Sequence, residues 1–247
     1  MGLFRLVTID RCGSTNTELL DHPELYPPYT ALRALVQTAG KGRWGRRWAD
    51  VGVDQGLALS LLFPLENSED PFRIPLLSVL GVHRVLRRRG VESRYRWPND
   101  LYVRGRKICG ILNEARFCGE KGLFVTGIGV NVNQRDFPAD IAGTAGSLLT
   151  ATGRAHDPND VIARILAECE PLFAACGDEA GYAALLESYQ ALSLTIGRRV
   201  RVFAPGEEYD AKAVGLDPLG MLIVQRDGGE TRVVGAGDVT IRGAIGN

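Results

Sequence analysis

The chain has 247 residues, of which 45% are hydrophobic and 23% charged. At roughly 150 residues per domain this allows one large domain, or a large one with a small companion; the composition excludes a disordered, collagen-like or coiled-coil chain. Lys and Arg number 29 against 29 Asp and Glu, so the formal net charge is zero. A nucleic-acid coat protein carries a positive excess, so anion binding here must come from a local cluster.

The five cysteines, Cys12, Cys109, Cys118, Cys169 and Cys176, are odd in number and none stand at CxxC spacing. That argues against a disulfide scaffold or a zinc knuckle. His22, His83 and His156 are scattered, so neither a histidine metal site nor a triad is visible. No apolar run approaches the ~18 residues of a membrane span, and the N-terminus lacks the basic and apolar regions of a secretory signal. A cytoplasmic protein that does not engage a membrane is expected.

In chain order, residues 3–10 read as a strand, and Ser14 or Thr15 is placed to cap a helix over TNTELL that ends before Pro23. Residues 31–38 read as a buried strand, followed by the Gly- and Arg-rich loop 39–48. Residues 57–63 form an apolar strand ended by Pro64. Residues 71–90 carry the spacing of an amphipathic helix closed by Gly90. Residues 93–97 and 107–115 read as strands around a turn, and 122–132 as another strand. Two helices follow, over 157–176, with Asp157 as cap and Pro158 at its first position, and over 179–192. From Ile196 onward, short β-branched runs separated by Asp217-Pro218-Leu219-Gly220 and Asp227-Gly228-Gly229-Glu230 predict a small all-β module. The boundary falls near 190–196, giving units 1–192 and 193–247.

Three segments carry candidate chemistry. Gly40-Lys41-Gly42-Arg43-Trp44-Gly45-Arg46-Arg47-Trp48 has the spacing of a dinucleotide-binding fingerprint, with Glu66 at the acidic position. Four cations crowd it, however, and no helical pattern follows, as that fingerprint requires. Mobile glycine with cations suits a loop that folds over an anion, with Trp48 and Trp44 available to cover an apolar part of the ligand; a solvated basic loop has the same composition. In the second segment, Trp97-Pro98-Asn99-Asp100 places Asn99 and Asp100 at a strand-end turn. Lys107 then opens an otherwise apolar run, where an ammonium must snorkel or meet an anion, and Gly110 leaves room for close approach. The third, Gly127-Ile128-Gly129-Val130-Asn131-Val132-Asn133, repeats that logic. Asn131 and Asn133 lie on one side of a strand, where their amides could read a polar heterocycle or simply form turns.

Taken together and in order, Ser14-Thr15-Asn16, Gln37 with Gly40 to Arg46, Trp97-Pro98-Asn99-Asp100, Lys107-Ile108-Cys109-Gly110-Ile111-Leu112 and Gly127-Ile128-Gly129-Val130-Asn131 resemble the biotin–protein ligase family. The resemblance covers residues 6–150 by motif and 196–242 by texture. It implies an α/β catalytic domain with a mixed sheet and helices, plus a small SH3-like C-terminal β-barrel. It also implies a two-step reaction. Biotin and MgATP give biotinyl-5′-AMP and pyrophosphate, and a lysine of a biotin carboxyl carrier domain of a biotin-dependent carboxylase then displaces AMP. ATP and Mg²⁺ are the implied co-reactants, and no tightly bound cofactor is expected. The Ser-Thr-Asn motif begins at residue 14, leaving no room before it for the helix-turn-helix of repressor members, so no DNA partner is expected; family members include both dimers and monomers.

By resemblance, Ser14, Thr15, Asn16 and Gln37 line the ureido pocket, and Gly40, Lys41, Gly42 and Arg43 belong to the ligand-binding loop. Trp48 packs on the ligand. Arg43, Arg46 and Lys107 hold the biotin carboxylate and the α-phosphate. Gly110, Gly127 and Gly129 let backbone approach the rings, and Asn99, Asp100 and Asn131 serve the nucleotide and the Mg²⁺ on its phosphates. Asp100 is the candidate proton acceptor or lysine orienter of the transfer step. Lys41 stands where Arg is usual, and Arg96 where Lys commonly precedes Trp-Pro-Asn-Asp. A lipoate or octanoate ligase is the rival within the fold, and a non-catalytic biotin or nucleotide sensor the rival outside it.

Overall fold

The computed structural model describes residues 2–48, 52–65, 73–118, 121–175, 177–204, 206–235 and 238–242. Expectations for Glu66, the helix start at 71–72 and Cys176 lie outside these residues. Seven strands, β1 (Arg5–Cys12), β2 (Thr30–Gln37), β3 (Gly56–Leu65), β4 (Arg94–Arg96), β5 (Asp100–Val103), β6 (Arg106–Cys118) and β7 (Lys121–Asn131), form one sheet. Their order is β1-β2-β3-β7-β6-β5-β4. Only β1 and β2 pair in parallel; the other neighbours are antiparallel.

Alternation along the central strands sorts their residues between two faces. Leu57, Leu59 and Leu61 of β3 and Ile128 and Val130 of β7 join the main core, which also contains apolar residues of α2 (Arg73–Arg88) and α4 (Pro158–Ala175). The two helices approach closely where a Cβ on Gly81 would meet Cys169 Sγ at 2.3 Å. On the opposite face α1 (Thr15–Asp21) buries Leu19 and Leu20 against Leu32, Leu62 and Val125. Beyond this cluster the same face carries Ser60, Gly127, Gly129 and Gly110, and the candidate site lies there.

Some elements differ from expectation. β3 runs through Pro64 to Leu65. Its pairing with β2 ends at Leu61, so Pro64 sits where β3 lacks its β2 neighbour, an edge-like position that tolerates a missing N–H. Residues 93–115 hold three strands rather than two. Asp100 is the first residue of β5, not part of the turn. A second reversal at Arg104 and Gly105, with φ of 48° and 74°, leads into β6. Positive φ at both central residues marks a primed hairpin turn, and Arg-Gly is a weak sequence signal for it. The short α3 (Leu148–Thr152) was not expected; it starts with a Ser147–Thr150 capping box. Ser14 holds the cap position of α1, but its side chain makes no capping bond. At α4, Asp157 Oδ1 does accept from the Asn159 N–H at 2.8 Å.

After α5 (Glu179–Ala191), strands β8 (Arg199–Ala204), β9 (Glu207–Leu216), β10 (Leu222–Gln225), β11 (Thr231–Val234) and β12 (Asp238–Ile241) form an antiparallel sheet in the order β11-β10-β9-β8-β12. β11 and β12 lie at its two edges, so the expected barrel is not closed among the described residues.

Buried His83 of α2 has Nδ1 2.9 Å from Ser93 Oγ. Burial lowers its pKa, and Arg87 and Arg84 add to this against the opposing pull of Glu92. The folded protein therefore keeps this ring neutral at pH values where the unfolded chain protonates it. Its contribution to stability is complete above the ordinary histidine value of about 6.5 and is lost as pH falls below it. Thermal unfolding of wild type and His83→Asn at about pH 7.5 and about pH 5.5 should show the smaller acid-side loss in the variant; equal losses would contradict this assignment.

Candidate active site

The floor of the site is a row of cross-strand partners, Ala34, Ala58, Gly129, Gly110, Asp100 and Arg96, running across β2, β3, β7, β6, β5 and β4. The adjacent row on the same face contains Leu32, Ser60, Gly127 and Leu112. The three glycines admit protein side chains against the sheet. A Cβ on Gly127 would meet Asn16 Oδ1 at 2.3 Å, one on Gly129 would meet Trp48 Cε2 at 2.6 Å, and one on Gly110 would meet Trp48 Cζ3 at 2.9 Å. The side chains of Asn16 and Trp48 thus lie directly over these glycines.

Around Gly127 lies a buried polar cluster. Gln37 Oε1 accepts from the Thr15 N–H at 2.8 Å and from Thr15 Oγ1 at 3.1 Å. Ser60 Oγ lies 2.7 Å from Thr15 Oγ1 and 2.6 Å from Asn16 Oδ1. Asn16 Nδ2 donates to Leu112 O at 3.1 Å and to Glu114 Oε2 at 2.9 Å. The Asn16 amide is therefore fixed at both ends, and the Gln37 carbonyl is turned toward Thr15. Ser14 is buried beside them at the start of α1. Buried polar groups need such partners, since an orphaned one costs about 1–3 kcal/mol.

At the other end of the floor, Lys107 Nζ lies 2.7 Å from Asp100 Oδ1, and Arg96 Nη2 lies 3.2 Å from Asp100 Oδ2. Asp100 is buried and Lys107 half-exposed. A register shift between β5 and β6 pairs Tyr102 with Lys107 while Asp100 pairs with Gly110. This bulge brings Lys107 onto the face of Gly110 although they are three residues apart. Lys107 Nζ also lies 5.6 Å from the centre of the Trp48 ring, within cation–π range.

The basic loop is a closed structure. Lys41 and Arg47 form an antiparallel bridge, the Gly42 N–H donates to Arg46 O at 2.7 Å, and the Trp48 N–H donates to Gly40 O at 2.9 Å. A Cβ on Gly40 would meet Trp48 O at 2.6 Å, so glycine is required where the loop folds back. Arg43 is half-buried, while Lys41, Arg46 and Trp44 are exposed. No helix follows the loop among the described residues, so the dinucleotide reading has no support there.

Asn99 and Asn131 lie close to main chain. Asn99 Nδ2 donates to Ile111 O at 2.5 Å, and Asn131 Nδ2 to Gly146 O at 2.9 Å. Asn133 is structural: its amide donates to Asp54 O and His156 O, both at 2.8 Å, and accepts from the His156 N–H. Two residues of the site, Ser60 and Glu114, were not singled out in sequence, and Arg96 was noted there only as standing where Lys is common. Ser60 had a readable signal, a lone hydroxyl within LALSLLF. Among the described residues no group of three or more His, Cys, Asp or Glu could hold a metal. Asp100, the acid of the floor, has its two carboxylate oxygens paired with Lys107 and Arg96.

An α/β sheet with a polar cluster, a glycine floor and a basic loop on one face is followed by a small β-domain. Residues 8–133 match the biotin/lipoate A/B protein ligase family, and residues 195–242 match the biotin protein ligase C-terminal domain. The chain belongs to the biotin/lipoate A/B protein ligase family. It is 34% identical over 257 residues to the biotin–[acetyl-CoA-carboxylase] ligase of Mycobacterium tuberculosis, covering 96% of this chain and 89% of that protein. It is 31% identical over 216 residues to the bifunctional ligase/repressor BirA of Bacillus subtilis, covering 85% of this chain and 66% of that protein, and thus spans about two thirds of that relative. The structure of the Aquifex aeolicus biotin protein ligase in complex with biotin and ATP superposes with a TM-score of 0.79 at 26% identity, covering 97% of this chain and 99% of that one.

Proposed function

We propose that the chain is a biotin–protein ligase, which activates biotin with ATP and transfers it to a lysine of a biotin carboxyl carrier domain. The observation that carries this is the pairing, across one glycine floor, of a fixed amide–hydroxyl cluster with a lysine held by a buried carboxylate. The first suits a neutral polar ring system, and the second suits the anionic end of the same ligand. Residues 1–192 are the catalytic unit and 193–247 the small domain. The buried thiols Cys109 and Cys169 suit a reducing cytoplasm.

In the first step a biotin carboxylate oxygen attacks the α-phosphorus of ATP and pyrophosphate leaves. A carboxylate is already a nucleophile at neutral pH, so no general base is needed. What is needed is positive charge between two anions and at the transition state. Lys107 supplies it from a fixed position. Its ammonium has three donors, of which the Asp100 ion pair uses one. Arg43 and Arg46 bring further cations on the loop, and Trp48, seated on Gly110 and Gly129, shields the anhydride from water. Asn99, Asp100 and Asn131 would hold the Mg²⁺ of bound ATP, which would offset phosphate charge.

In the second step the carrier lysine attacks the acyl carbon, AMP leaves, and the amine loses a proton. Asp100 orients that amine or accepts its proton. Single-turnover transfer from preformed biotinyl-5′-AMP should slow by at least about 10²-fold in Asp100→Ala, the scale of a lost general base; an unchanged transfer rate would remove Asp100 from this step. The function itself is tested by incubating the protein with biotin, MgATP and a biotin carboxyl carrier domain. Addition of one biotin to a single carrier lysine, read by intact mass, is expected. A carrier left unmodified while the protein retains its fold would contradict the proposal.

A further inference from the structure

The turn that joins Arg96 to Asp100 is held from outside the catalytic sheet. Trp97 is 4% exposed, and its indole Nε1–H donates to Gly220 O at 3.1 Å, in the β9–β10 turn of the C-terminal domain. Its backbone N–H donates to Oγ1 of fully buried Thr195 at 3.0 Å. The connecting segment pairs with β4: the Tyr95 N–H donates to Leu192 O at 3.1 Å and the Leu194 N–H to Tyr95 O at 2.8 Å. From α5, Tyr189 Oη donates to Pro98 O at 3.1 Å, and the Tyr189 ring stacks on Tyr95 with centroids 3.9 Å apart.

The Gly220 carbonyl is aimed by its own turn. Asp217 Oδ1 accepts from the Leu219 and Met221 N–H groups, both at 2.9 Å, and Gly220 has φ of 78°, which favours glycine. Both flanks of the turn carry the site: Arg96 and Asp100 are cross-strand partners and Asp100 holds Lys107. A small displacement of this turn moves all three charges together.

We infer that the Trp97–Gly220 contact is a positioning latch through which the C-terminal domain sets the Arg96–Asp100–Lys107 cluster for catalysis. Trp97 acts through Asp100 and is a positioning residue. The kinetic part of this inference rests on the ligase reading; the structural part does not.

Two variants test it from opposite sides. Trp97→Phe keeps the ring and removes the donor. Asp217→Ala loosens the turn from within the C-terminal domain and touches no site residue. Each should lower kcat for biotin-dependent ATP–pyrophosphate exchange about tenfold, since misplacement by 1 Å can cost as much as a hundredfold. Biotin affinity without ATP should stay within about twofold. The double variant should be no slower than the slower single, as for one shared interaction. Hydrogen exchange should speed up across 94–103 in both variants and stay unchanged in α1. A lowered unfolding temperature with unchanged kcat would reduce the contact to a structural one and overturn the proposal, as would unchanged exchange across 94–103. If wild type supports no biotin-dependent exchange, the ligase reading fails while the 94–103 measurement still decides the latch.

Discussion

Lys107→Ala is expected to lower biotin-dependent ATP–pyrophosphate exchange by about 10²–10³-fold, the scale of removing one preorganised charge-stabilising donor. The size of the effect follows from how Lys107 is held. Its Nζ lies 2.7 Å from Asp100 Oδ1 and close to the Trp48 ring, so its position is fixed before substrate arrives and little reorganisation accompanies reaction. The truncation also leaves buried Asp100 with Arg96 as its remaining cation at 3.2 Å, which costs stability as well as rate. Stability and rate are separable: thermal unfolding reports the first, and exchange at saturating biotin and ATP the second. Lys107→Arg should recover only part of the rate. It keeps the charge, but a Cβ on neighbouring Gly110 would already sit 3.3 Å from Lys107 Cε and 2.9 Å from the Trp48 ring, so a planar guanidinium has little room. A Lys107→Ala protein that unfolds normally and exchanges within about threefold of wild type would remove Lys107 from the reaction, since a lost donor of this kind is far costlier.

Gly127→Val is expected to abolish tight biotin binding. The added Cβ would lie 2.3 Å from Asn16 Oδ1, so Asn16 must leave its place, and it loses Ser60 Oγ, Leu112 O and Glu114 Oε2 together. Stranding buried polar groups costs about 1–3 kcal/mol of stability each, and displacing Asn16 takes away an amide that the pocket presents to the ligand. Titration calorimetry with biotin reads the loss directly. ATP binding should change much less, because the Lys107–Asp100–Arg96 cluster lies on the neighbouring row of the sheet. Gly127→Ala should act in the same direction with smaller size, since Asn16 can yield part of the distance. Wild-type biotin affinity in Gly127→Val would show that the cluster does not form the ligand pocket.

Much of this site was legible in sequence because its parts are local. Ser14-Thr15-Asn16 opens a helix next to a strand that ends at Gln37, and the parallel β1–β2 pairing brings Cys12 opposite Gln37, which sets the motif beside its partner. Lys107 stood out as a charge at the head of an apolar strand. Other features depend on what only the sheet can bring together. Arg96, Asp100, Gly110 and Gly129 become one row through antiparallel register across four strands, and the bulge that turns Lys107 toward them leaves no mark in the sequence. Close approach at the glycines was foreseen, but Asn16 and Trp48 as neighbours of Gly127, Gly129 and Gly110 were not, since both come from distant segments. The missed β5 and the run of β3 through Pro64 reflect a weak Arg-Gly turn signal and an edge-like stretch.

The most direct test of the central claim is ATP–pyrophosphate exchange by the purified protein with Mg²⁺, adding biotin, lipoate or octanoate in turn. Exchange that depends on biotin and fails with the other two acids is the expected result, and it establishes adenylation and ligand identity together. Exchange with lipoate or octanoate in place of biotin would keep the roles of the cations but contradict the assignment of the pocket around Asn16 and Gln37. Tight biotin binding without exchange would contradict catalysis itself.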